Sequence, residues 1–185
     1  MSRRSRIHWT LGLALGFWAA ALPLFAGASK KPLRFLSSAF EDGGKLPVKY
    51  TCDGAGFSPE LRWKNLPKKT KSLALILEDP DAAYSTWTHW VVYNIPANVL
   101  EFLENFPKDA QLPNGITQGT SDFKTIGYGP PCPPNGIHRY FFRLYALNSF
   151  LALPPGATAA ELKQAMKGHI LATAQMMGKY GQYQR

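Results

Sequence analysis

The chain has 185 residues, a formal net charge of +9 and 45% hydrophobic residues, which suits one domain with a single core. It contains no internal repeat and no low-complexity segment, and this excludes repeat architectures. The basic excess indicates either an anionic partner, such as lipid headgroups, or a solvated lysine-rich face, and predicted export argues against nucleic acid.

The N-terminus predicts a secretory signal peptide over residues 1–28. Arg3, Arg4 and Arg6 precede an apolar run over residues 9–25, and Ala26-Gly27-Ala28 supplies a small-residue cleavage site. An uncleaved anchor is the alternative, although the run is shorter than the roughly 20 residues of a transmembrane helix. Cleavage would leave residues 29–185 as one exported domain, periplasmic or secreted.

Most of the remaining elements are predicted to be short strands. Turn residues and apolar alternation predict strands over 33–38, 45–51 and 60–63. The nearly continuous apolar runs 72–78 and 88–95 predict strands that are covered on both faces. On the second run, His89, Val91, Tyr93 and Ile95 are expected to share one face.

The second half of the chain predicts one long strand and one helix. Residues 98–126 are weakly patterned, and 114–122 is predicted to be loop. Two sets of side chains alternate along residues 138–147, and this pattern predicts a strand. A capping box at Thr158 and Glu161, with apolar residues at helical spacing as far as Met177, predicts a C-terminal helix that Gly178 caps and that buries His169. The prediction is a mainly antiparallel β-sandwich with helices at its periphery.

Cys52 and Cys132 are the only cysteines in the sequence. Because an exported chain enters an oxidising compartment, we predict that they form one disulfide bond. The sequence holds neither a C-x-x-C redox motif nor the cysteine spacing of a tetrahedral zinc site.

Titratable side chains gather where the predicted strands begin and end. Asp79 and Asp81 follow the strand 72–78, and His89 stands ten residues after Asp79. The loop over residues 127–136 is rich in glycine and proline and leads into His138 and Tyr140. Each feature has an inert alternative, because Asp-Pro-Asp is also an ordinary turn and a lone strand histidine is often a core residue.

Together these residues predict a pocket for phosphate-type anions. A carboxylate orients and charges an imidazole, and glycines leave backbone amides free to face a ligand. The same side chains could hold zinc or iron, but their spacing matches no metal motif, so a metal-dependent phosphate-ester hydrolase is the alternative function. No nucleophile motif is present. We therefore expect a binding protein without catalytic residues, metal or cofactor.

An ordered set of motifs resembles the phosphatidylethanolamine-binding protein family, in the bacterial branch related to Raf kinase inhibitor protein. The motifs are Tyr50-Thr51-Cys52-Asp53-Gly54, Asp79-Pro80-Asp81-Ala82, Trp87-Thr88-His89-Trp90 and Gly136-Ile137-His138-Arg139-Tyr140. The resemblance implies two antiparallel sheets with peripheral helices and a small pocket for phosphate-like anions or phosphorylated headgroups.

The resemblance also implies site residues and partners. The ligand-binding residues would be Asp79, Asp81, His89, Gly129, Pro131, His138 and Tyr140, with Tyr180 near the mouth. Family members are mostly binding or inhibitory proteins, so an extracytoplasmic protein target or an anionic membrane surface is a further expected partner of a monomer or homodimer. Pro130 stands where the family usually has glycine, which removes one backbone N–H.

Overall fold

Residues 31–181 are the part of the chain that the computed structural model describes, and they form nine strands, a 3₁₀ turn and one short helix. The predicted signal peptide over 1–28 lies outside the described residues. No described helix is long and apolar enough to cross a membrane. The elements are β1 Arg34–Leu36, the 3₁₀ turn Val48–Tyr50, β2 Leu61–Lys64, β3 Ser72–Asp79, β4 Trp87–Pro96, β5 Glu101–Phe102, β6 Thr117–Thr120, β7 Ile137–Leu147, β8 Gly156–Thr158, α1 Ala159–Ala165 and β9 Ile170–Gly181.

The strands form two sheets, as predicted. The smaller sheet has the order β1-β2-β5, and the larger has the order β8-β6-β4-β3-β7-β9. All strand pairs are antiparallel except the short β6–β8 contact, which is parallel. The mainly β architecture with two sheets and little helix is therefore confirmed.

Two apolar clusters cover the two faces of the larger sheet. Trp63 and Phe102 of the smaller sheet pack with Leu75 and Phe142 of the larger one in the first cluster. The second cluster joins the opposite face of the larger sheet to α1 through Leu162. Strand β3 is buried along its whole length because it contributes to both clusters, as its continuous apolar run predicted.

The predicted alternation along β4 fails at both ends: His89 packs against Tyr140 of the first cluster, whereas Val91 and Tyr93 face the second. Trp90 and Val92 face the first cluster and Val91 faces the second, but Ile95 joins Trp90 and Val92. Asn94 adopts a φ of 55°, in the left-handed region, and its side chain exchanges hydrogen bonds with the backbone of Leu151. This irregularity shifts the register, so Ile95 lies on the opposite face from the one predicted.

The predicted C-terminal helix is mostly a strand. The capping box at Thr158 and Glu161 is present, but α1 ends at Ala165, and β9 pairs with β7 along its length. Gly168, with a φ of 79°, turns the chain between the two elements. Gly178 lies inside β9 against Leu46 and does not cap a helix. His169 lies in the turn, where its Nδ1 is 2.8 Å from Asn148 Oδ1.

Two shorter predictions are also wrong. Within the predicted strand 45–51, residues Val48–Tyr50 form a 3₁₀ turn after Pro47. Within the predicted loop 114–122, Thr117–Thr120 forms β6 and pairs with β4. Gln118 accounts for this pairing, because its buried amide accepts a hydrogen bond from the Trp90 indole and donates to two backbone carbonyls.

Candidate functional site

The end of β3, the start of β4 and the start of β7 meet at one end of the larger sheet, where these inner strands stop. Antiparallel pairing sets Asp79 opposite Trp87 at this end, and β7 begins on the other side of β3. The three strands enclose a pocket of about 250 Å³, called the edge pocket below. Its lining residues are Asp79, Ala82, Ala83, Trp87, His89, Phe123, Cys132, Pro133, Pro134, His138 and Tyr140.

Asp79 links the turn to the pocket. One carboxylate oxygen accepts a hydrogen bond from the backbone N–H of Asp81 at 2.8 Å, as an ordinary turn aspartate does. The other oxygen lies 2.8 Å from Nδ1 of His138. The buried carboxylate therefore fixes the orientation of the His138 ring and leaves Nε2 of that ring for a ligand.

His89 is held by the proline loop. Its Nδ1 lies 2.9 Å from the carbonyl oxygen of Gly129, so this nitrogen carries the proton, and the Gly129 N–H donates to the His89 carbonyl oxygen at 2.9 Å. The residue is 3% exposed. Burial is the largest effect on it and lowers the pKa of His89, against smaller raising effects of the Gly129 hydrogen bond and the Asp79 charge. A neutral imidazole with a free acceptor at Nε2 results.

The Tyr140 hydroxyl is buried and makes no hydrogen bond of good geometry within the described residues, although the Asp79 carboxylate lies near it. The side chain is 0% exposed, and its ring packs edge-on against His89 at 5.2 Å between centroids. Burial and then the Asp79 charge raise the pKa of Tyr140, so the hydroxyl keeps its proton as a donor. Leaving such a group unpaired costs about 1–3 kcal/mol.

Asp81 does not line the edge pocket. Its carboxylate faces outward and binds Arg139 through Nε at 2.9 Å and Nη2 at 2.7 Å. The Arg139 hydrogen bond is the main effect that lowers the pKa of Asp81. Asp81 also accepts from the Arg139 backbone N–H, so it ties the turn after β3 to the first residues of β7.

Gly129 and Pro131 stand behind the pocket wall. A Cβ on Gly129 would lie 2.6 Å from the Phe123 ring, so only glycine permits this close approach. The Pro131 carbonyl oxygen accepts from the Cys52 N–H at 3.0 Å. Cys52 and Cys132 form the predicted disulfide, and Cys132 reaches the pocket wall. Tyr180 lies outside the lining, where its hydroxyl donates to Asp53.

The apolar mouth of the pocket was missed in the sequence. Trp87 and Phe123 are partly exposed and meet edge-on, with centroids 5.5 Å apart. Trp87 belongs to the same motif as His89, so its position in the sequence could have indicated that it lines the pocket. Phe123 lies in the weakly patterned segment and reaches the pocket only through the fold. Within residues 31–181, no group of three or more His, Cys, Asp or Glu side chains is arranged to hold a metal ion.

The sequence profile of the phosphatidylethanolamine-binding proteins matches residues 36–181. The chain belongs to this family. Among its relatives, a UPF0098 protein of Methanothermobacter thermautotrophicus is 51% identical over 142 residues, which are 77% of this chain and 94% of that protein. The matched region therefore makes up almost all of that relative.

Two solved structures of the family share the fold. A phosphatidylethanolamine-binding protein homolog of Chlamydia trachomatis is 41% identical, with a TM-score of 0.75, over 82% of this chain and 99% of the other. Escherichia coli YbcL, described as a member of the mammalian PEBP family, is 31% identical, with a TM-score of 0.76. The match covers 83% of this chain and 100% of that chain. The resemblance inferred from the motifs is thus confirmed.

Proposed function

We propose that this family member is an exported binding protein whose edge pocket takes a phosphate-type anion or a phosphorylated headgroup. The observation that carries the proposal is the meeting of the His89 and His138 imidazoles with the Tyr140 side chain in one pocket, where the Tyr140 hydroxyl lacks a well-formed hydrogen bond. A phosphate oxygen would accept the hydrogen bond that this hydroxyl lacks.

The two histidines have complementary roles in this proposal. Asp79 holds the His138 ring through Nδ1, so Nε2 of this ring is left to contact the anion. The neutral His89 presents an acceptor, which suits the hydroxyl of a monoprotonated phosphate.

The size and walls of the pocket favour a headgroup. About 250 Å³ is slightly below the usual range for sites that bind drug-sized ligands. Trp87, Phe123 and the prolines offer apolar contact to a short organic group beside the phosphate. Acyl chains of a lipid would remain outside.

Calorimetric titration with inorganic phosphate and with phosphoethanolamine tests the proposal. Tyr140→Phe should weaken binding by about tenfold, because a hydrogen bond to a charged group is lost. His138→Asn, which can still donate to Asp79 but lacks Nε2, should weaken it by a similar factor of about tenfold.

Tyr93→Phe is the matched control, because it removes a tyrosine hydroxyl that bonds the Pro154 carbonyl away from the pocket. It should bind as the wild type does. Unchanged affinity in Tyr140→Phe would contradict the proposal. The hydrolase alternative requires a stoichiometric transition metal, which elemental analysis of protein purified without chelator would detect.

A further inference from the structure

A second hollow lies at the opposite end of the larger sheet from the edge pocket. β3 runs from Ser72 to Asp79, so the two ends of this strand are about 23 Å apart at about 3.3 Å per residue. The hollow measures about 630 Å³. Its lining residues are Lys68, Lys69, Thr70, Lys71, Asn148, Ser149, Gly168 and His169.

The lysines that line this hollow are not balanced by acidic side chains of the same chain segments. Lys68, Lys69 and Lys71 are exposed, and none of them takes part in an ion pair within the described residues. All the lining residues lie within the ranges 61–77, 143–160 and 162–181. These ranges contain no aspartate or glutamate. Lys167 adds an exposed amino group beside Gly168.

Large apolar side chains are exposed on the chain segments beside the lysines. Phe150 is 55% exposed and follows Ser149 of the hollow, while Ile170 and Leu171 are 44% and 36% exposed and follow His169. Single exposed apolar residues are ordinary, but three of them on the segments that form one cationic hollow are a specific combination. We call the lysines and these three residues the basic patch.

The described chain also begins near this patch. Arg34 of β1 pairs with Lys64 of β2, and the Asn65 side chain donates to the Pro32 carbonyl oxygen at 3.1 Å. Lys68 follows three residues after Asn65.

We propose that the basic patch docks on a membrane surface that contains anionic phospholipids. Each lysine near such a surface gains about 1 kcal/mol. Phe150, Ile170 and Leu171 would enter the interfacial region, where apolar side chains add affinity. A soluble polyanion would use the lysines but gain nothing from these apolar side chains, and this favours the lipid surface. The docking site is separate from the edge pocket and does not depend on its ligand.

Vesicle co-sedimentation tests the proposal with residues 29–185, which contain the whole family domain and lack the apolar N-terminal run. The vesicles are phosphatidylcholine alone and phosphatidylcholine with phosphatidylglycerol. Binding should require phosphatidylglycerol and decrease with added salt. Lys68→Glu/Lys69→Glu should weaken binding by about tenfold or more. Phe150→Ser should weaken it further at high salt.

Lys45→Glu/Lys108→Glu is the matched control, since both lysines are exposed, lie outside the patch and give the same change in charge. This control should keep most of the binding, and His138→Asn should keep the dependence of binding on phosphatidylglycerol. Equal loss in both double variants would overturn the proposal, and so would equal binding to both vesicles. It would also fail if heparin bound strongly through the patch while the vesicles did not. Because His138→Asn reports on the edge pocket alone, a failed docking experiment leaves the proposed function to be judged by its own titration.

Discussion

The two pocket histidines differ in the partner that holds Nδ1 of each ring. Nδ1 of His138 is held by a carboxylate, while Nδ1 of His89 is held by a backbone carbonyl in a more deeply buried place. Burial beside a neutral carbonyl lowers the pKa of His89 and favours its neutral ring. The pocket thereby holds both imidazoles through Nδ1 and leaves both Nε2 atoms for a ligand.

The buried state of His89 predicts a pH dependence of stability. Because its pKa in the folded protein lies below the ordinary value of 6.5, the unfolded chain binds more protons at mildly acidic pH. The free energy of unfolding should therefore fall as the pH is lowered through and below about 6.5. His89→Asn, which can still donate to the Gly129 carbonyl, should show a smaller decrease. Urea unfolding at a series of pH values measures this, and identical pH profiles of the two proteins would refute the assignment.

At the scale of elements, the proline loop forms a pocket wall because two restraints fix it to the Cys52 segment. These are the disulfide and the hydrogen bond from the Cys52 N–H to the Pro131 carbonyl. Cys132 itself and the next two prolines line the pocket. The loop thus needs a partner that is 80 residues distant along the chain.

Loss of the disulfide should destabilise the domain and weaken the pocket together. Cys52→Ser/Cys132→Ser should lower the free energy of unfolding by about 2–4 kcal/mol, because a long loop in the unfolded chain is no longer closed. Phosphate affinity should fall as the loop gains freedom. Denaturant unfolding and titration measure the two effects, and wild type treated with a thiol reductant should match the double variant. If phosphate affinity were unchanged, the disulfide would have no role in shaping the pocket.

The elements that carry the site agree with the sequence better than those at the periphery. β3, β4 and β7 could be predicted because their long apolar or alternating runs suit only strands. β9 was misread because its small residues, such as Ala172 and Ala174, are compatible with a helix and with a strand, and its pairing with β7 decides between them. β6 depends likewise on hydrogen bonds of Gln118 to distant residues.

For the whole molecule, export and the disulfide belong to one hypothesis. The sequence predicts cleavage after Ala28, and an oxidising compartment would allow Cys52 and Cys132 to pair. When the full chain is produced in a bacterium with a periplasm, the intact mass of the periplasmic protein should correspond to a chain that starts at Ser29. Ala28→Leu should hinder processing at this position, because signal peptidase requires a small residue there. An intact protein that still starts at Met1 would favour the anchor instead.

By itself, the sequence determined the mainly β class, the disulfide pair, the family and a group of residues that includes Asp79, His89, His138 and Tyr140. Strand periodicity and motif order can both be read from the sequence without knowledge of the fold. Only the tertiary structure decided that Asp81 turns outward to Arg139, that Phe123 closes the pocket mouth and that the Tyr140 hydroxyl lacks a well-formed hydrogen bond. It also brought Ser149 and His169, the neighbours in sequence of the exposed Phe150 and Ile170, to a hollow lined by lysines far away in the chain. Such facts depend on contacts between distant segments, and no local pattern in the sequence encodes them.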